Sequence, residues 1–300
     1  MSPYSRAAAL AGIAALAGQQ AAAHAISGVR VFPVTLTFDD PGVADEATLP
    51  QIVYQPEPGS RFTQFQWEYD KTITPNTALI YNQGYDILRA QGAKTRSGFE
   101  NAVFTGKWQA WVVPDHEFLL SLGVQREFAG GSATQNVGGD TFGSTAPTGY
   151  FGKGLGDLPI GPLRPLAITG ELSYVIPDRV LNLAGDNGGT PRSWAGAFSI
   201  QYSIPYLQSQ IKDYGLPDFL GRLIPLVETT WTSPAAKVFG DPATLQFAAG
   251  AIYLSDTYQA GLEALIPGNK AAGHSVGVIG QVHYFFDDIF PNSLGKPLFN

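Results

Sequence analysis

Residues Phe198-Ser199-Ile200-Gln201-Tyr202-Ser203-Ile204 alternate apolar and polar side chains without a break. Period-two alternation sends successive side chains to opposite faces of a sheet, whereas a helix would space its apolar residues three and four apart. The stretch predicts a strand with one apolar and one polar face. The same rhythm recurs in both directions along the chain. Leu166, Ile168, Leu172, Tyr174 and Ile176 interleave with Ala167, Thr169, Glu171 and Ser173. Tyr258, Ala260, Leu262, Ala264 and Ile266 interleave with Gln259, Gly261, Glu263 and Leu265, and Phe65, Trp67 and Tyr69 with Gln64, Gln66, Glu68 and Asp70. Most such segments are about 9–14 residues long, and a tilted strand needs about 9–11 to cross a bilayer. Strands of soluble sandwiches are nearer 5–6 residues.

Working outward, strands are predicted at 28–38, 61–73, 77–89, 99–113, 116–128, 164–176, 179–185, 194–206, 221–232, 243–254, 258–268 and 274–286. Tight connections fall at Thr74-Pro75-Asn76, Pro114-Asp115, Pro177-Asp178 and Ser255-Asp256-Thr257, and long Gly-, Ser- and Thr-rich ones at 39–60, 129–163 and 186–193. In this count every tight turn follows an even-numbered strand. Outer-membrane barrels have short periplasmic turns and longer outer loops. The expectation is an all-β fold: a transmembrane, up-and-down antiparallel barrel of ten to twelve strands, with both termini in the periplasm and long extracellular loops. Tyr69, Trp108, Tyr174, Tyr253 and Tyr258 then fall near periplasmic turns, where an interfacial aromatic girdle belongs. The alternative for these rings is the core of a soluble sheet.

The N-terminus reads as a secretory signal. Arg6 supplies positive charge, Ala7 to Ala17 is an apolar run too short to span a bilayer, and Ala23-His24-Ala25 suits signal peptidase. A cut after Ala25 divides the chain into a signal, 1–25, and one barrel domain, 26–300, with a short C-terminal tail. Losing Arg6 takes the formal charge of −7 one unit further negative, which argues against nucleic acid or anionic head groups as partners. There is no cysteine, which excludes disulfides, thiolate metal sites and a lipoprotein anchor. Only 14% of residues are charged, and no later run is apolar enough for a spanning helix.

The polar strand faces would line the lumen with Glu68, Asp70, Asp86, Glu117, Glu171, Gln201, Glu228, Glu263, Gln281 and His283, against the single cation Lys107. Such an imbalance favours cations or neutral solutes over anions. Alternatively, these acids pair with loop arginines and Lys107 to fill a narrow barrel. Nothing points to catalysis, a cofactor or a metal. His283 shares a strand face with Ser275, too far along the chain to touch it. Asp39-Asp40 and Asp45-Glu46 lack calcium-loop spacing and read as solvated loop acids, and Gly152-Lys153-Gly154 opens no phosphate loop. The expected partners are outer-membrane lipids, the barrel assembly machinery and small-molecule solutes; the oligomeric state is left open.

Two segments carry a resemblance. Phe32-Pro33-Val34-Thr35 through Asp39-Asp40-Pro41, and Val278-Ile279-Gly280-Gln281-Val282-His283-Tyr284-Phe285-Phe286-Asp287-Asp288-Ile289-Phe290-Pro291, resemble the opening and closing segments of barrels grouped with the phenol meta-pathway (MetA-pathway) outer-membrane protein. The resemblance implies a Gram-negative outer-membrane channel or transporter-like barrel passing small, hydrophobic or aromatic solutes by passive diffusion. It carries over no solute-binding residue. The competing expectations are a scaffold barrel with a closed lumen that docks partner proteins, and a soluble periplasmic binding barrel. The 129–163 connection is the expected plug. The tail after Phe286 either folds back under the barrel or presents Phe299 to the assembly machinery.

Overall fold

The computed structural model describes residues 25–130, 137, 141–181, 188–235 and 243–299. The predicted signal, apart from Ala25, lies outside the described residues.

A short hairpin, β1 (Ala25–Ser27) and β2 (Arg30–Phe32), precedes the barrel wall. The wall begins with β3 (Glu46–Glu57), β4 (Ser60–Thr74) and β5 (Thr77–Ala90). After the short β6 (Arg96–Phe99) come β7 (Ala102–Val113), β8 (Phe118–Phe128), β9 (Ser144–Gly154) and β10 (Leu166–Pro177). The circuit ends with β11 (Ser193–Tyr202), β12 (Leu223–Pro234), β13 (Thr244–Leu254), β14 (Tyr258–Pro267) and β15 (Gly277–Phe285). Each wall strand pairs antiparallel with the next, and β15 pairs with β3. The sheet therefore closes into a 12-stranded antiparallel barrel with no free edge. The short β6 pairs beside β5 outside this ring.

Alternation decides which way each side chain points. Along β15, Gly277, Ile279, Gln281, His283 and Phe285 are buried while Val278 and Tyr284 are exposed. On β14, Leu262 is 63% exposed beside the buried Glu263. Phe198 and Ile200 likewise face out, with Ser199 and Gln201 in. The outer wall is apolar and the inner wall mostly polar.

The wall has twelve strands, but two are not those predicted. Residues 28–38 supply no wall strand: only Arg30–Phe32 is extended, and the chain from Val34 to Asp45 runs through the lumen. The first wall strand is Glu46–Glu57, inside the predicted 39–60 loop. It contains Pro50 and Pro56, which broke its pattern; a register irregularity between Thr48 and Gln51 absorbs Pro50. Residues 179–181 form no strand beyond an isolated Val180–Thr190 bridge, and 182–187 lie outside the described residues. The replacement is Ser144–Gly154, whose glycines and hydroxyls hide its alternation inside the predicted 129–163 loop.

These corrections cancel in the count but not in the connections. Pro177-Asp178 begins a long connection, and it lies at the end of the barrel opposite the tight turns at 75–76 and 255–257. The end that carries Ala25 and Phe299 also bears the longer connections 155–165 and 203–222. Beyond β15 the chain makes a helical turn, Phe286–Ile289, and doubles back, with Leu298 N and Phe299 N donating to Thr72 O and Ile73 O. Of the two expectations for the tail, folding back is what the structure shows, and it leaves Phe299 exposed.

Candidate functional site

The lumen is occupied by the chain's own N-terminal segment. Leu36 is buried among Ile224, Leu226, Ala248, Ile252, Leu265 and Ile279 on the inner wall. Burying one leucine in this way contributes about 1.5–3 kcal/mol. Gly261 faces it, and a Cβ there would come within 2.5 Å of a Leu36 methyl, so the wall is shaped to receive this side chain. Phe32 packs with Ala25, Leu119 and Ala167 at the terminal end of the lumen.

A segment without a partner strand must satisfy its backbone groups elsewhere. Glu228 accepts from Leu36 N (3.0 Å), Thr37 N (2.8 Å) and the Thr37 hydroxyl. Gln259 accepts from Val34 N (3.2 Å) and donates to Val34 O (2.6 Å). Gln281 donates to the carbonyls of Val34 and Thr35 and accepts from Gln51. Lys107 donates to Asp40 O (2.8 Å), pairs with the Asp39 carboxylate (2.7 Å) and lies over the Tyr150 ring (4.7 Å). Ser121 donates to Pro41 O. Of the residues expected to line the lumen, Lys107, Glu228 and Gln281 hold this segment.

Glu117 lies in no strand. It follows the 3-10 turn Pro114–His116 with φ +46, and its carboxylate points inward. It accepts from Arg30 Nε (3.0 Å), Tyr206 OH (2.8 Å) and Gly156 N (3.1 Å), closing the terminal end of the lumen. Arg30 also donates to the carbonyls of Pro165 and Arg164 and stacks over Tyr206.

The other predicted residues divide into groups. Asp70 is buried opposite Glu46 in the β3–β4 register, and His283 accepts or donates through Nδ1 to the Thr48 hydroxyl at 2.8 Å. The other ring nitrogen lies 2.9 Å from a Glu46 oxygen without hydrogen-bond alignment. Gln201 donates to the hydroxyls of Thr169 and Ser199 on the neighbouring wall. Glu263 is buried near Glu228, with neither oxygen hydrogen-bonded among the described residues. Asp86 is also buried; its neighbour Gln64 donates to Glu100 at 2.9 Å. Glu68 and Glu171 line a remaining cavity of about 280 Å³, bounded by the plug residues Thr35 to Asp39 and by Gln51, Gln66, Asn82, Thr105 and Gln125. Leu36, Phe38, Ile80 and Val103 give that cavity an apolar side.

The acids at 39–46 are the largest departure from expectation. Asp40, Asp45 and Glu46 are buried rather than solvated. Asp45 accepts from Thr72 N (2.9 Å), the Thr72 hydroxyl and Lys71 Nζ (2.5 Å), pinning the exit of the plug to β4. Arg30, Asp39, Glu46, Thr48 and Gln259 were missed as lumen residues; the prolines at 33, 41 and 50, which spoil any strand pattern here, were the available signal. Of the predicted girdle, Tyr69, Trp108, Tyr253 and Tyr258 lie toward the terminal end of the barrel. Tyr174 lies at the opposite end, against Trp194 at 4.7 Å, because the strand count had been shifted by β9. The plug expected from 129–163 is not seen: 144–154 is wall, and 131–136 and 138–140 lie outside the described residues.

Among the carboxyl groups beyond the wall strands, Asp157 and Asp287 have proton affinities displaced in opposite directions. Hydrogen bonding from Lys153 holds Asp157 down at about 2. Burial, reinforced by the Asp45 carboxylate, pushes Asp287 up to about 7.

No protein-family model matches the chain, and no curated protein does. Among solved structures it is similar to the KdgM porin (8% identity, TM-score 0.45, 79% of this chain and 98% of that one). It is similar to the NanC porin (9%, TM-score 0.46, 79% and 99%) and to LpxR from Salmonella typhimurium (11%, TM-score 0.40, 80% and 100%).

Proposed function

We propose that the chain is an outer-membrane barrel that passes small neutral or cationic solutes passively through a lumen restricted by its own residues 33–45. The observation that carries the solute preference is the charge of the cavity wall. Glu68 and Glu171 face it, and the nearby cation, Lys107, is already bound to Asp39. An anion would meet these acidic groups, with no free cation beside them among the described residues, in a confined space of low polarisability. The apolar side of the cavity suits a solute with a hydrocarbon or aromatic part, in keeping with the resemblance to the phenol meta-pathway barrels. Membrane placement is supported by the exposed apolar outer wall and by the closed sheet, whose ladders pair the spanning backbone strand to strand.

A closed scaffold barrel is the second reading, and the polar ties between plug and wall are what favour it. Purified protein in planar bilayers under a salt gradient tests both. The channel reading expects small conductance with a cation-selective or near-neutral reversal potential. Strong anion selectivity overturns the assignment of the cavity wall, and absence of any conductance favours the scaffold.

A further inference from the structure

The β11–β12 connection, residues 203–222, hooks over the rim of the barrel onto its outer surface. Its helical turn Asp218–Gly221 places Phe219 on Tyr253, with ring centroids 5.5 Å apart and planes 17° from parallel. Tyr253 points outward, since its neighbour Ile252 is buried in the lumen, and it also meets the outward Tyr258 at 6.3 Å. The other end of the connection is fixed under the lumen by Tyr206, which donates to Glu117. Between these anchors the segment is held by its own bonds, Leu216 N to Gln208 Oε1 (3.2 Å) and Gly215 N to Asp213 Oδ1 (2.8 Å), with Gly215 at φ +63.

A segment held this way still leaves apolar side chains uncovered. Phe219 is 62% exposed, and Tyr214, Leu216 and Leu220 are exposed beside it. Ile160 and Leu163 from the neighbouring β9–β10 connection are exposed as well. A contiguous apolar patch on an ordered segment marks an interaction surface. Lys212 and Arg222 balance Asp213 and Asp218, so the segment carries no net charge to attract a charged partner.

We propose that residues 203–222 form an interfacial foot that rests in the head-group layer of the periplasmic leaflet, with Phe219, Leu216 and Tyr214 reaching toward the acyl chains. The occupant of the patch is a phospholipid surface. Continuity argues for it: through Tyr253 and Tyr258 the patch joins the apolar wall, and aromatic rings favour this depth. The inference rests on the membrane-barrel reading.

The absence of cysteine makes the test direct. Phe219→Cys, Leu216→Cys, Val227→Cys and Lys94→Cys variants each carry one environment-sensitive fluorophore. They are folded into phosphatidylethanolamine–phosphatidylglycerol vesicles and checked for heat-modifiable migration. Quenching is read with nitroxide lipids and with aqueous iodide. Val227, exposed on the outer wall, reports lipid contact, and Lys94, exposed in the β5–β6 turn, reports water. The labels at 219 and 216 should lose at least as much fluorescence to a head-group-proximal nitroxide as the label at 227, and far more than the label at 94, and be less open to iodide than 94. If 227 is lipid-quenched while 219 and 216 behave like 94, the foot is wrong and the barrel stands. Shielding of 219 and 216 from both quenchers means a protein partner or second copy covers the patch, which also overturns the proposal. Lack of lipid quenching at 227 overturns the membrane reading itself. Should Phe219→Cys not fold, Leu216→Cys carries the test.

Discussion

Arg30 donates through Nε to Glu117 and through its terminal nitrogens to two carbonyl oxygens, with its guanidinium stacked on Tyr206. Both members of the pair are buried. Removing one member of such a pair strands the other charge, at a cost of about 3–5 kcal/mol. Arg30→Ala should therefore lower the urea midpoint of unfolding sharply, and Arg30→Lys should recover only part of the loss, because an ammonium lacks the planar fork and the ring contact. A midpoint unchanged by Arg30→Ala would show that Glu117 finds water instead. Glu117 was legible in the sequence as an inward acid in need of a partner. Arg30 was not, because Phe32-Pro33-Val34 beside it suggested a strand, and no local pattern reveals that a chain will turn into a lumen.

At the scale of elements, β9 was the hardest to read. Its residues Ser144–Gly154 include Gly149, Gly152 and Gly154, and they look like loop. Gly152 leaves room for the plug: a Cβ there would come within 3.0 Å of Pro41 and 3.1 Å of the Phe32 ring. A strand that must admit a plug gives up the side chains that would have announced it. Amide hydrogen exchange should protect 144–154 as strongly as 118–128 and 166–177, and rapid exchange throughout 144–154 would contradict its place in the wall. The C-terminal tail makes a separate prediction. Asp287 accepts from Asp45 N at 3.1 Å, and its carboxyl is raised to about 7. A carboxyl with a raised pKa binds its proton more tightly when folded, so its contribution to stability is lost as pH climbs from about 4 to 7. Asp287→Asn should flatten the fall in stability across that window and leave the acid limb unchanged. An identical pH profile for the variant and the native chain would mean that Asp287 does not titrate there.

At the scale of the whole molecule, closure and the outward apolar wall follow from alternation and strand length, which are local and survive misreading of single segments. The connection lengths were less informative, since Pro177-Asp178, read as a tight turn, opens a long connection, and 39–60, read as a long loop, supplies the end of the plug and a wall strand. The lumen was legible only as a list of inward acids. What those acids do depends on residues 25–45, whose position is fixed by contacts across more than half the chain, such as Leu36 and Thr37 with Glu228. Hydrogen bonds to a carboxylate are worth about 1.5–3 kcal/mol each, so Glu228 is a principal tie between plug and wall. The most direct test is single-channel conductance of Glu228→Ala against the native chain, both shown to migrate as folded barrels. The account predicts a higher or more frequently open conductance for the variant, still without preference for anions. A variant that folds and conducts exactly as the native chain does would contradict the claim that residues 33–45 restrict the lumen.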